Sequence, residues 1–269
     1  MTRVGVMGAG GRMGRAVCRA VADDPELDLV CAVDPDLSPD EAGSVLAGID
    51  SDVAVGADIE LLARTEASVA VDFTVAEAAM QHMRWCASHG VHAVVGTTGI
   101  PPAFLADVGA EFARGVANCV VAPNFAIGAV LMMRFAELAA PYMDSAEIVE
   151  LHHDGKLDAP SGTALLTADR MGAARLAAEA GPWPADRTTT EVVAGVRGGA
   201  GAEGVHMHSV RLPGLVAHQE VIFGATGQSL TVRHDAYDRS SFMPGVLMAV
   251  KAVAQRPGMT IGLDALLGL

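Results

Sequence analysis

Two histidines and a lysine lie close together in this sequence, at His152, His153 and Lys156, and their types suit proton transfer. An imidazole exchanges a proton near neutral pH, and a lysine adds positive charge beside it. The segment Ser161-Gly162-Thr163 follows within the same short window. Together, these residue types suit a small carboxylated substrate that is bound as an anion and receives a proton.

The elements around this window would hold it in place. Residues 146–151 form an apolar-rich run that predicts a strand, and Pro160 with Ser161 marks the start of an alanine- and leucine-rich helix from 162 to about 180. Ser161 is the expected N-cap. Backbone N–H groups and the helix dipole at such a start favour an anion. We therefore expect the helix start, with Gly162 and Thr163, to face negative charge.

The window also has a structural interpretation. Neighbouring residues of a strand point to opposite faces, so at least one of His152 and His153 is expected to be structural or simply hydrogen-bonded. Lys156 and the Ser-Gly-Thr segment favour a site over that alternative. No metal is expected, because no third histidine, cysteine or carboxylate lies at ligand spacing in the same element.

A glycine-rich loop near the start of the chain predicts a dinucleotide-binding fold. A short apolar strand at residues 3–7 is followed by glycines, by a helix to about residue 22, and by a strand at 27–33 that ends in Asp34. The strict G-x-G-x-x-G pattern fails because Met13 takes the third glycine position, and the match is G-x-x-G-x-x-G instead. The loop residues expected at the cofactor are Gly8, Ala9, Gly10, Gly11, Arg12 and Met13.

Asp34 bears on the choice between NADH and NADPH. A carboxylate at the end of the second strand would accept hydrogen bonds from the adenosine ribose and repel a 2′-phosphate. Neither Pro35 nor the residues just after it supply a basic side chain. The sequence therefore predicts a preference for NADH over NADPH, which Arg12 could soften. The alternative is that Asp34 is an ordinary turn residue before Pro35.

Three further predicted strands, residues 68–73, 92–95 and 118–122, alternate with helices at about 76–88 and 101–114. Ligands of a parallel sheet bind beyond the carboxyl ends of its strands. Each of these segments could be an ordinary turn. Because such segments follow several successive strands, they indicate the walls of a nicotinamide pocket. The residues concerned are Phe73, Gly96, Thr97, Thr98, Ala122, Pro123, Asn124 and Phe125.

The second half of the chain has a different pattern. After a long helix at 128–142, most segments are strands, at about 205–212, 216–223 and 229–234, before a final helix at 242–256. The Pro213-Gly214 turn and the glycine turn after 223 predict an open mixed or antiparallel sheet. Such a sheet has edges that need covering, so we expect subunits to associate through this part of the chain.

Composition limits the class of protein. The chain has 269 residues, 51% hydrophobic and 19% charged, which suits a packed α/β enzyme. A net charge of −14 argues against nucleic acid and anionic membrane surfaces as partners. Four scattered cysteines are expected to be buried thiols. The first residues enter a strand directly, which leaves no room for a signal peptide, and we expect a soluble cytoplasmic protein.

Taken together, these motifs resemble the 4-hydroxy-tetrahydrodipicolinate reductase family, formerly called dihydrodipicolinate reductase, of the diaminopimelate route to lysine. The resemblance spans essentially the whole chain, and the stretch from His152 to Thr163 is its most specific part. The other matching segments are the loop from Gly8 to Gly14, Val71-Asp72-Phe73-Thr74, Gly96-Thr97-Thr98-Gly99, Ala122-Pro123-Asn124-Phe125, His218-Gln219-Glu220-Val221, and His234 with Arg239 and Phe242.

The resemblance implies an oxidoreductase that uses NADH or NADPH to convert 4-hydroxy-tetrahydrodipicolinate into tetrahydrodipicolinate. After water is lost, hydride is delivered to C4 and the resulting enamine is protonated at the neighbouring carbon. By the same resemblance, His152 is the catalytic acid/base and Lys156 the second proton donor. His153, with Gly162 and Thr163, holds the carboxylates of this small dicarboxylate.

The resemblance also implies an architecture. An α/β fold is expected, with a Rossmann-type dinucleotide-binding domain formed by residues 1–123 and 240–269. An inserted α+β domain at 124–239, with an open mixed sheet, would bind the substrate and join subunits into a homotetramer.

The sequence gives less support to other functions on the same fold. A short-chain dehydrogenase would need Tyr-x-x-x-Lys, and neither Tyr142 nor Tyr237 has a lysine four residues on. An aldehyde-type dehydrogenase would need a cysteine near His152, and none is present there. A protein that only senses NAD would keep the glycine loop but leave the window from His152 to Thr163 without a role.

Overall fold

The protein was analysed as a computed structural model that describes residues 1–37, 43, 46–49, 52–201 and 204–269. The chain divides into two compact units, Met1–Phe125 with Arg239–Leu269, and Ala126–Asp238. In chain order the strands are β1 (Thr2–Met7), β2 (Leu27–Val33), β3 (Ala54–Gly56), β4 (Val69–Asp72), β5 (His92–Val95), β6 (Cys119–Val121), β7 (Ser145–His152), β8 (Gly199–Ala200), β9 (His206–Arg211), β10 (Ala217–Ala225), β11 (Gln228–Ala236) and β12 (Met259–Ile261).

The helices of the described residues alternate with these strands in the first unit and lie mostly before them in the second. They are α1 (Arg12–Asp23), α2 (Glu60–Arg64), α3 (Ala76–His89), α4 (Pro102–Arg114), α5 (Ile127–Ala139), α6 (Gly162–Ala177), α7 (Met243–Ala252) and α8 (Asp264–Leu267). Short 3₁₀ turns at Ala140–Tyr142, Arg239–Phe242 and Val253–Gln255 flank α5 and α7.

The first unit is built on a parallel sheet with the strand order β12-β6-β5-β4-β1-β2-β3. The sheet lies in the interior of this unit. In strand β2 all but one of the residues are buried, as expected for a strand covered on both faces. Helix α1 packs through Gly14, Val17, Cys18 and Val21, whose spacing places them on one helical face. Because the strands run parallel, their carboxyl ends lie at the same edge of the sheet.

The second unit is a five-stranded mixed sheet in the order β11-β10-β7-β9-β8. Strands β7 and β9 run parallel, while β10 pairs antiparallel with β7 and β11. One face of β7, represented by Ile148, packs in a core with Met171 of α6 and Phe223 of β10. Because side chains alternate along a strand, Glu150 and His152 lie on this same helix-covered face.

The predicted fold class is confirmed, with a Rossmann-type parallel sheet and a second, mixed sheet. The sequence analysis missed strands β3, β8 and β12 and helices α2 and α8. Each is at most five residues long, too short to display a period. Strand β12 and helix α8 lie beyond residue 256, where the final predicted helix ended.

The structure places the cysteines and one long uncharged run of the sequence. All four cysteines are buried free thiols, as predicted. The uncharged run from residue 116 to 133 consists of β6, a loop and the start of α5. Across the residues that the structure describes, no helix combines the length and the apolar character needed to cross a bilayer.

Candidate active site

The glycine loop between β1 and α1 can form only because its glycines lack side chains. Gly8 has a φ of 75°, in the left-handed region that favours glycine. A Cβ on Gly14 would lie 2.0 Å from the carbonyl oxygen of Gly8. The first turn of α1 therefore lies against the loop. Gly11 is the N-cap residue of α1 and makes no side-chain capping hydrogen bond. The backbone N–H groups at this helix start are suited to bind a phosphate.

Asp34 faces the same loop from the end of β2. Its Oδ2 accepts a hydrogen bond from the backbone N–H of Gly10 at 2.9 Å, and its Oδ1 accepts one from the N–H of Asp36 at 3.0 Å. A cavity of about 360 Å³ opens here. It is lined by Met7, Gly8, Gly11, Val33, Asp34, Pro35, Asp36, Ala57, Ile59, Phe73, Thr74, Val75, Ala78 and His82.

Among the predicted cofactor residues, the structure therefore brings Gly8, Gly11, Asp34 and Phe73 to this cavity. Ala9 and Gly10 belong to the same loop, and Arg12 with Met13 opens α1. None of these four is a lining residue. Nor are the predicted residues beyond β5 and β6, which are Gly96, Thr97, Thr98, Ala122, Pro123, Asn124 and Phe125.

The residues beyond β4, β5 and β6 nevertheless contact one another. The ring of Phe73 lies 5.7 Å from that of Phe125, and a Cβ on Gly96 would lie 2.2 Å from Phe73 Cε1. The hydroxyl of Thr97 donates to the carbonyl oxygen of Thr74 at 3.1 Å. Adjacent parallel strands thus place these side chains together at one edge of the sheet.

A buried carboxylate in this unit went unnoticed in the sequence. Asp72, 1% exposed, accepts hydrogen bonds from the N–H and the hydroxyl of Thr74 at 2.8 and 2.6 Å, and its Oδ2 lies 2.8 Å from His82 Nδ1. His82 in turn lines the cavity. In the sequence, the signal for this buried carboxylate was an aspartate at the end of an otherwise apolar strand.

In the second unit, His152 is the last residue of β7, and its ring is held from one side. Its Nδ1 lies 2.5 Å from Oε2 of Glu150, a residue with no exposed surface. The guanidinium of Arg211 donates to both oxygens of that carboxylate, at 2.9 and 2.7 Å. The sequence analysis assigned no role to Glu150 or Arg211. A carboxylate two residues before a histidine in an apolar strand was the available signal for Glu150.

The charge states in this cluster have clear directions. Burial alone would raise the pKa of the Glu150 carboxyl, but the hydrogen bonds that it accepts, above all from Arg211, hold that pKa below its ordinary value. Burial lowers the pKa of His152 below 6.5, although its bond to Glu150 opposes the change. The positive charges of Lys156 and Arg211 lower it further. Near neutral pH, the free protein therefore pairs an ionised Glu150 with a largely neutral His152.

The loop after β7 carries the other predicted residues. His153 follows the strand, and its carbonyl accepts the backbone N–H of Lys156 at 3.2 Å. The Lys156 ammonium binds both carboxylate oxygens of Asp158, at 2.8 and 2.9 Å. Lys156 is 20% exposed and Asp158 65% exposed, so this ion pair faces solvent. The ammonium is thus engaged by a carboxylate of the chain itself.

The start of α6 has the predicted cap. The hydroxyl of Ser161 accepts the backbone N–H of Ala164 at 3.2 Å, which confirms Ser161 as the N-cap. A Cβ on Gly162 would meet no atom within 4 Å, so the space there is open. Thr163 follows in the first turn, and its carbonyl accepts the Thr167 hydroxyl at 2.7 Å. Among the described residues, no group of three or more histidine, cysteine or acidic side chains is arranged to hold a metal ion.

Both halves of the chain match models of one protein family. The family model described as "Dihydrodipicolinate reductase, N-terminus" matches residues 2–125, and the one described as "Dihydrodipicolinate reductase, C-terminus" matches residues 128–267. The 4-hydroxy-tetrahydrodipicolinate reductase of Cutibacterium acnes is 51% identical and that of Nocardia farcinica 48% identical. The alignments cover 100% and 99% of both partners, respectively.

A solved structure is similar as well. The dipicolinate-bound dihydrodipicolinate reductase from Paenisporosarcina sp. TG-14 superposes with a TM-score of 0.84 at 36% identity, covering 98% of this chain and 99% of that one. The family predicted from the sequence is thereby confirmed. The chain belongs to the dihydrodipicolinate reductase family.

Proposed function

We propose that this protein is a pyridine-nucleotide-dependent reductase that converts 4-hydroxy-tetrahydrodipicolinate into tetrahydrodipicolinate, the reaction named in its full-length relatives. The observation that carries the proposal is the cluster at the end of β7. There, a half-buried His152 is hydrogen-bonded to a buried Glu150 and lies within the electrostatic influence of Lys156. A proton donor and a cation placed together suit the reduction and protonation of an anionic substrate.

The first unit fits a dinucleotide. A Cβ on Gly8 or Gly14 would collide with the backbone of Phe73 or of Gly8, so glycine is what permits this tight loop, and Asp34 lies at the cavity that Gly8 also lines. We assign the diphosphate to the glycine loop and the start of α1, and the adenosine ribose to Asp34. The strand-end residues are assigned to the nicotinamide, namely Phe73, Gly96, Thr97, Thr98, Ala122, Pro123, Asn124 and Phe125. When bound, the reduced nicotinamide supplies the hydride.

Asp34 also supports a preference for NADH. Its fixed carboxylate would repel a 2′-phosphate on the ribose, and the neighbouring Asp36 adds a second negative charge at the same cavity. Arg12, at the start of α1, is the basic side chain that could soften this preference. The preference follows from the two carboxylates, Asp34 and Asp36, that line the cavity.

The second unit is assigned to the substrate. Its two carboxylates would bind the Lys156 ammonium, His153 and the backbone at Ser161, Gly162 and Thr163, where the helix dipole favours negative charge. Gly162 leaves open space at this helix start, into which a carboxylate fits. A substrate carboxylate at Lys156 would compete with Asp158 for the donors of the ammonium.

His152 is assigned as the acid that protonates the enamine, and Lys156 as the second proton donor. Burial keeps the imidazole largely neutral in the free protein, by lowering its pKa. Two substrate carboxylates beside the ring would favour its charged form. Binding of the dicarboxylate would thus load His152 with the proton that the reduced substrate needs, while Lys156 stabilises the electron-rich transition state.

The second unit is also assigned to subunit association, as a homotetramer. The face of its sheet turned away from α6 carries the apolar side chains Val149, Leu151 and Ile222, and Ile222 is 37% exposed. Burying such a face against another copy would remove apolar surface from water. Light scattering should then give a mass four times that of the 27.6 kDa chain, and the mass of a single chain would contradict this assignment.

A coupled assay tests the function. A synthase that condenses pyruvate with aspartate semialdehyde supplies the substrate, and nicotinamide absorbance is followed with NADH and NADPH in parallel. Oxidation should require both this protein and the condensation product. A cofactor that binds but stays reduced would favour another substrate or a sensing role.

Two variants test the catalytic residues in the same assay. His152→Ala and Lys156→Ala should each lower kcat by ~10²–10³, by analogy with loss of a group that stabilises the transition state. The Kd for NADH, measured by fluorescence, should be unchanged, because the glycine loop is untouched. Near-normal turnover in either variant would remove that residue from the mechanism.

A further inference from the structure

We propose that Glu150 is the positioning residue of the catalytic histidine, fixing the tautomer and the ring orientation of His152, and that Arg211 holds Glu150 in place. The proposal rests on the proposed function, in which His152 transfers a proton to the reduced substrate. It adds a specific requirement: the ring must present Nε2, with its proton, to the substrate, while Nδ1 stays bound to the protein.

The geometry begins with the alternation of β7. Glu150 and His152 are two residues apart in one strand, so their side chains lie on the same face. The carboxylate of Glu150 is fully buried, and its Oε2 lies 2.5 Å from His152 Nδ1. The histidine side chain is 16% exposed. One edge of the ring is therefore held by the interior, which leaves the opposite nitrogen to exchange protons.

Strand β9 supplies the restraint on Glu150. Arg211 is the register partner of His152 in the parallel β7–β9 pair, and Ser209 is the partner of Glu150. The guanidinium donates to both carboxylate oxygens, and the Ser209 side chain donates as well. Arg211 also donates to the carbonyl oxygen of Asp158 at 2.8 Å. The same side chain thus links the buried carboxylate to the loop that carries Lys156.

Burial of this carboxylate needs a reason. An ionised carboxylate without exposed surface is costly unless it is paired and hydrogen-bonded, and an apolar residue would fill the same place more cheaply. Here its oxygens accept bonds from Arg211, Ser209 and His152. Because its oxygens accept all of these hydrogen bonds, the Glu150 carboxylate is a rigid acceptor. Its bond to His152 gives the ring one defined orientation.

The charge state then sets the tautomer. An ionised carboxylate can only accept hydrogen bonds, so the proton between the two groups belongs to Nδ1 of His152. The nitrogen that gains and loses a proton during turnover is therefore Nε2. The charged groups around the ring are Glu150 on its own strand, Arg211 on β9 and Lys156, itself bound to Asp158, in the following loop. On β10 the register partner is Ala217, which carries no charge.

A purely structural role for the Glu150–Arg211 pair is the alternative. It would join β7 to β9 and contribute only to the stability of the sheet. That role predicts a loss of stability on substitution, with the titration of the histidine unchanged. A positioning role predicts instead a change in the pH profile of turnover, because Glu150 is the negative group hydrogen-bonded to the ring itself.

The experiment uses Glu150→Gln in the full-length protein. We expect kcat to fall by about 10–100-fold, the range seen when a carboxylate that orients a functional histidine is changed. The KM for the substrate and the Kd for NADH should stay within about 2-fold. His152 acts in its protonated form, so the alkaline limb of the pH profile of kcat/KM, which reports the free enzyme, should move to lower pH because the negative neighbour is gone.

The same strand offers a matched control. Glu147 also accepts from an arginine, Arg197, and pairs with a histidine, His208 Nε2, at 2.8 Å. It lies three residues before Glu150 and so on the opposite face of β7. Because this face is the one assigned to subunit association, light scattering first checks that Glu147→Gln keeps the wild-type mass; kcat and the alkaline limb should then be as in the wild type. A similar shift in both variants would overturn the proposal, since it would reflect the loss of any carboxylate from the sheet.

A second measurement does not depend on the folding of a variant. Nitrogen-15 NMR of the histidine rings in the wild-type protein reports the tautomer, and the His152 signal is identified by its loss in His152→Gln. We expect a protonated Nδ1 above neutral pH. A protonated Nε2 there would overturn the proposal outright.

Failure of this inference can be told apart from failure of the proposed function. If the wild-type protein oxidises no cofactor in the coupled assay, the proposed function fails. If it does and His152→Ala turns over normally, the inference and the role of His152 fail together while the reductase function stands. If His152→Ala is impaired while Glu150→Gln keeps the wild-type alkaline limb, the inference alone fails. In that case Glu150 is a structural residue of the sheet.

Discussion

The backbone N–H of Gly10 donates to the Oδ2 of Asp34 at 2.9 Å, which joins the glycine loop to the end of β2. A Cβ on Gly10 would lie only 3.0 Å from the same oxygen. The glycine loop therefore holds the Asp34 carboxylate in place. A second bond, from the N–H of Asp36, restrains its other oxygen. Asp34 is thus a structural part of the loop as well as a charge at the cavity.

This relationship leads to a prediction about cofactor choice. Asp34→Asn keeps an oxygen that can accept the Gly10 N–H but removes the negative charge. Unit charges about 4 Å apart repel by ~1 kcal/mol in water and ~4 kcal/mol near a protein surface, so the ratio of kcat/KM for NADPH to that for NADH should rise by about 10-fold or more. Asp36→Asn, which removes a neighbouring charge, should change the ratio less. An unchanged ratio in Asp34→Asn would show that its charge does not select the cofactor.

The approach of α1 to the glycine loop gives a prediction about stability. Gly14→Ala would place a Cβ 2.0 Å from the Gly8 carbonyl oxygen, whereas on Gly11 the nearest atom would be 3.2 Å away. Forcing an extra carbon into a packed site costs about 1–3 kcal/mol, so Gly14→Ala should lower the free energy of unfolding by that amount. Gly11→Ala should cost clearly less. Urea denaturation measures both, and equal losses would mean that α1 shifts to accommodate the methyl group.

The ion pair between Lys156 and Asp158 gives a prediction about ligand affinity. Because Asp158 occupies the ammonium, Asp158→Asn should free Lys156 for a dicarboxylate. An exposed pair contributes about 0.2–1 kcal/mol, so the Kd for dipicolinate should fall by roughly 1.5- to 5-fold in a calorimetric titration. Asp154→Asn removes a carboxylate from the same loop and serves as the control. If it lowers the Kd equally, the effect comes from net charge.

His92 gives a prediction about acid stability. Its Nδ1 accepts the backbone N–H of Asn118 at 2.9 Å, a bond that only an unprotonated nitrogen can make. Burial lowers the pKa of His92 below its ordinary 6.5. The unfolded chain therefore binds the proton first. The stability contributed by the neutral ring is fully present above pH 6.5 and is lost as the pH falls through the lowered pKa.

The free energy of unfolding should accordingly decrease between pH 7.5 and pH 5.5, by up to about 1.4 kcal/mol per pH unit for each such group. His152 and His234, whose pKa values burial also lowers, contribute in the same direction. His92→Asn supplies an acceptor oxygen that does not titrate in this range, so its slope against pH should be shallower. Parallel slopes for the wild type and His92→Asn would exclude His92 as a source of the acid sensitivity.

Much of this protein follows from local sequence. The path from β1 through the glycine loop to Asp34 is short, and each step carries its own signal: an apolar strand, glycines at a tight turn and an acid at the next strand end. Ser161 is a second case, because an N-cap depends only on the residues of one helical turn. The family, too, could be identified from the spacing of residues between His152 and Thr163.

The tertiary structure decided what depends on distant pairing. Arg211 reaches Glu150 across 61 residues, because β9 lies beside β7 in parallel. Strand β12 joins the first sheet beside β6, 140 residues away in the register of Met259 with Cys119. Asp72 ends a strand and His82 lies on the following helix, and no local pattern specifies that these two side chains pair. Sequence determines local conformation through steric and hydrogen-bonding preferences. Only the packed fold decides which charged groups are buried away from water. Those groups then need a hydrogen-bond or ion-pair partner.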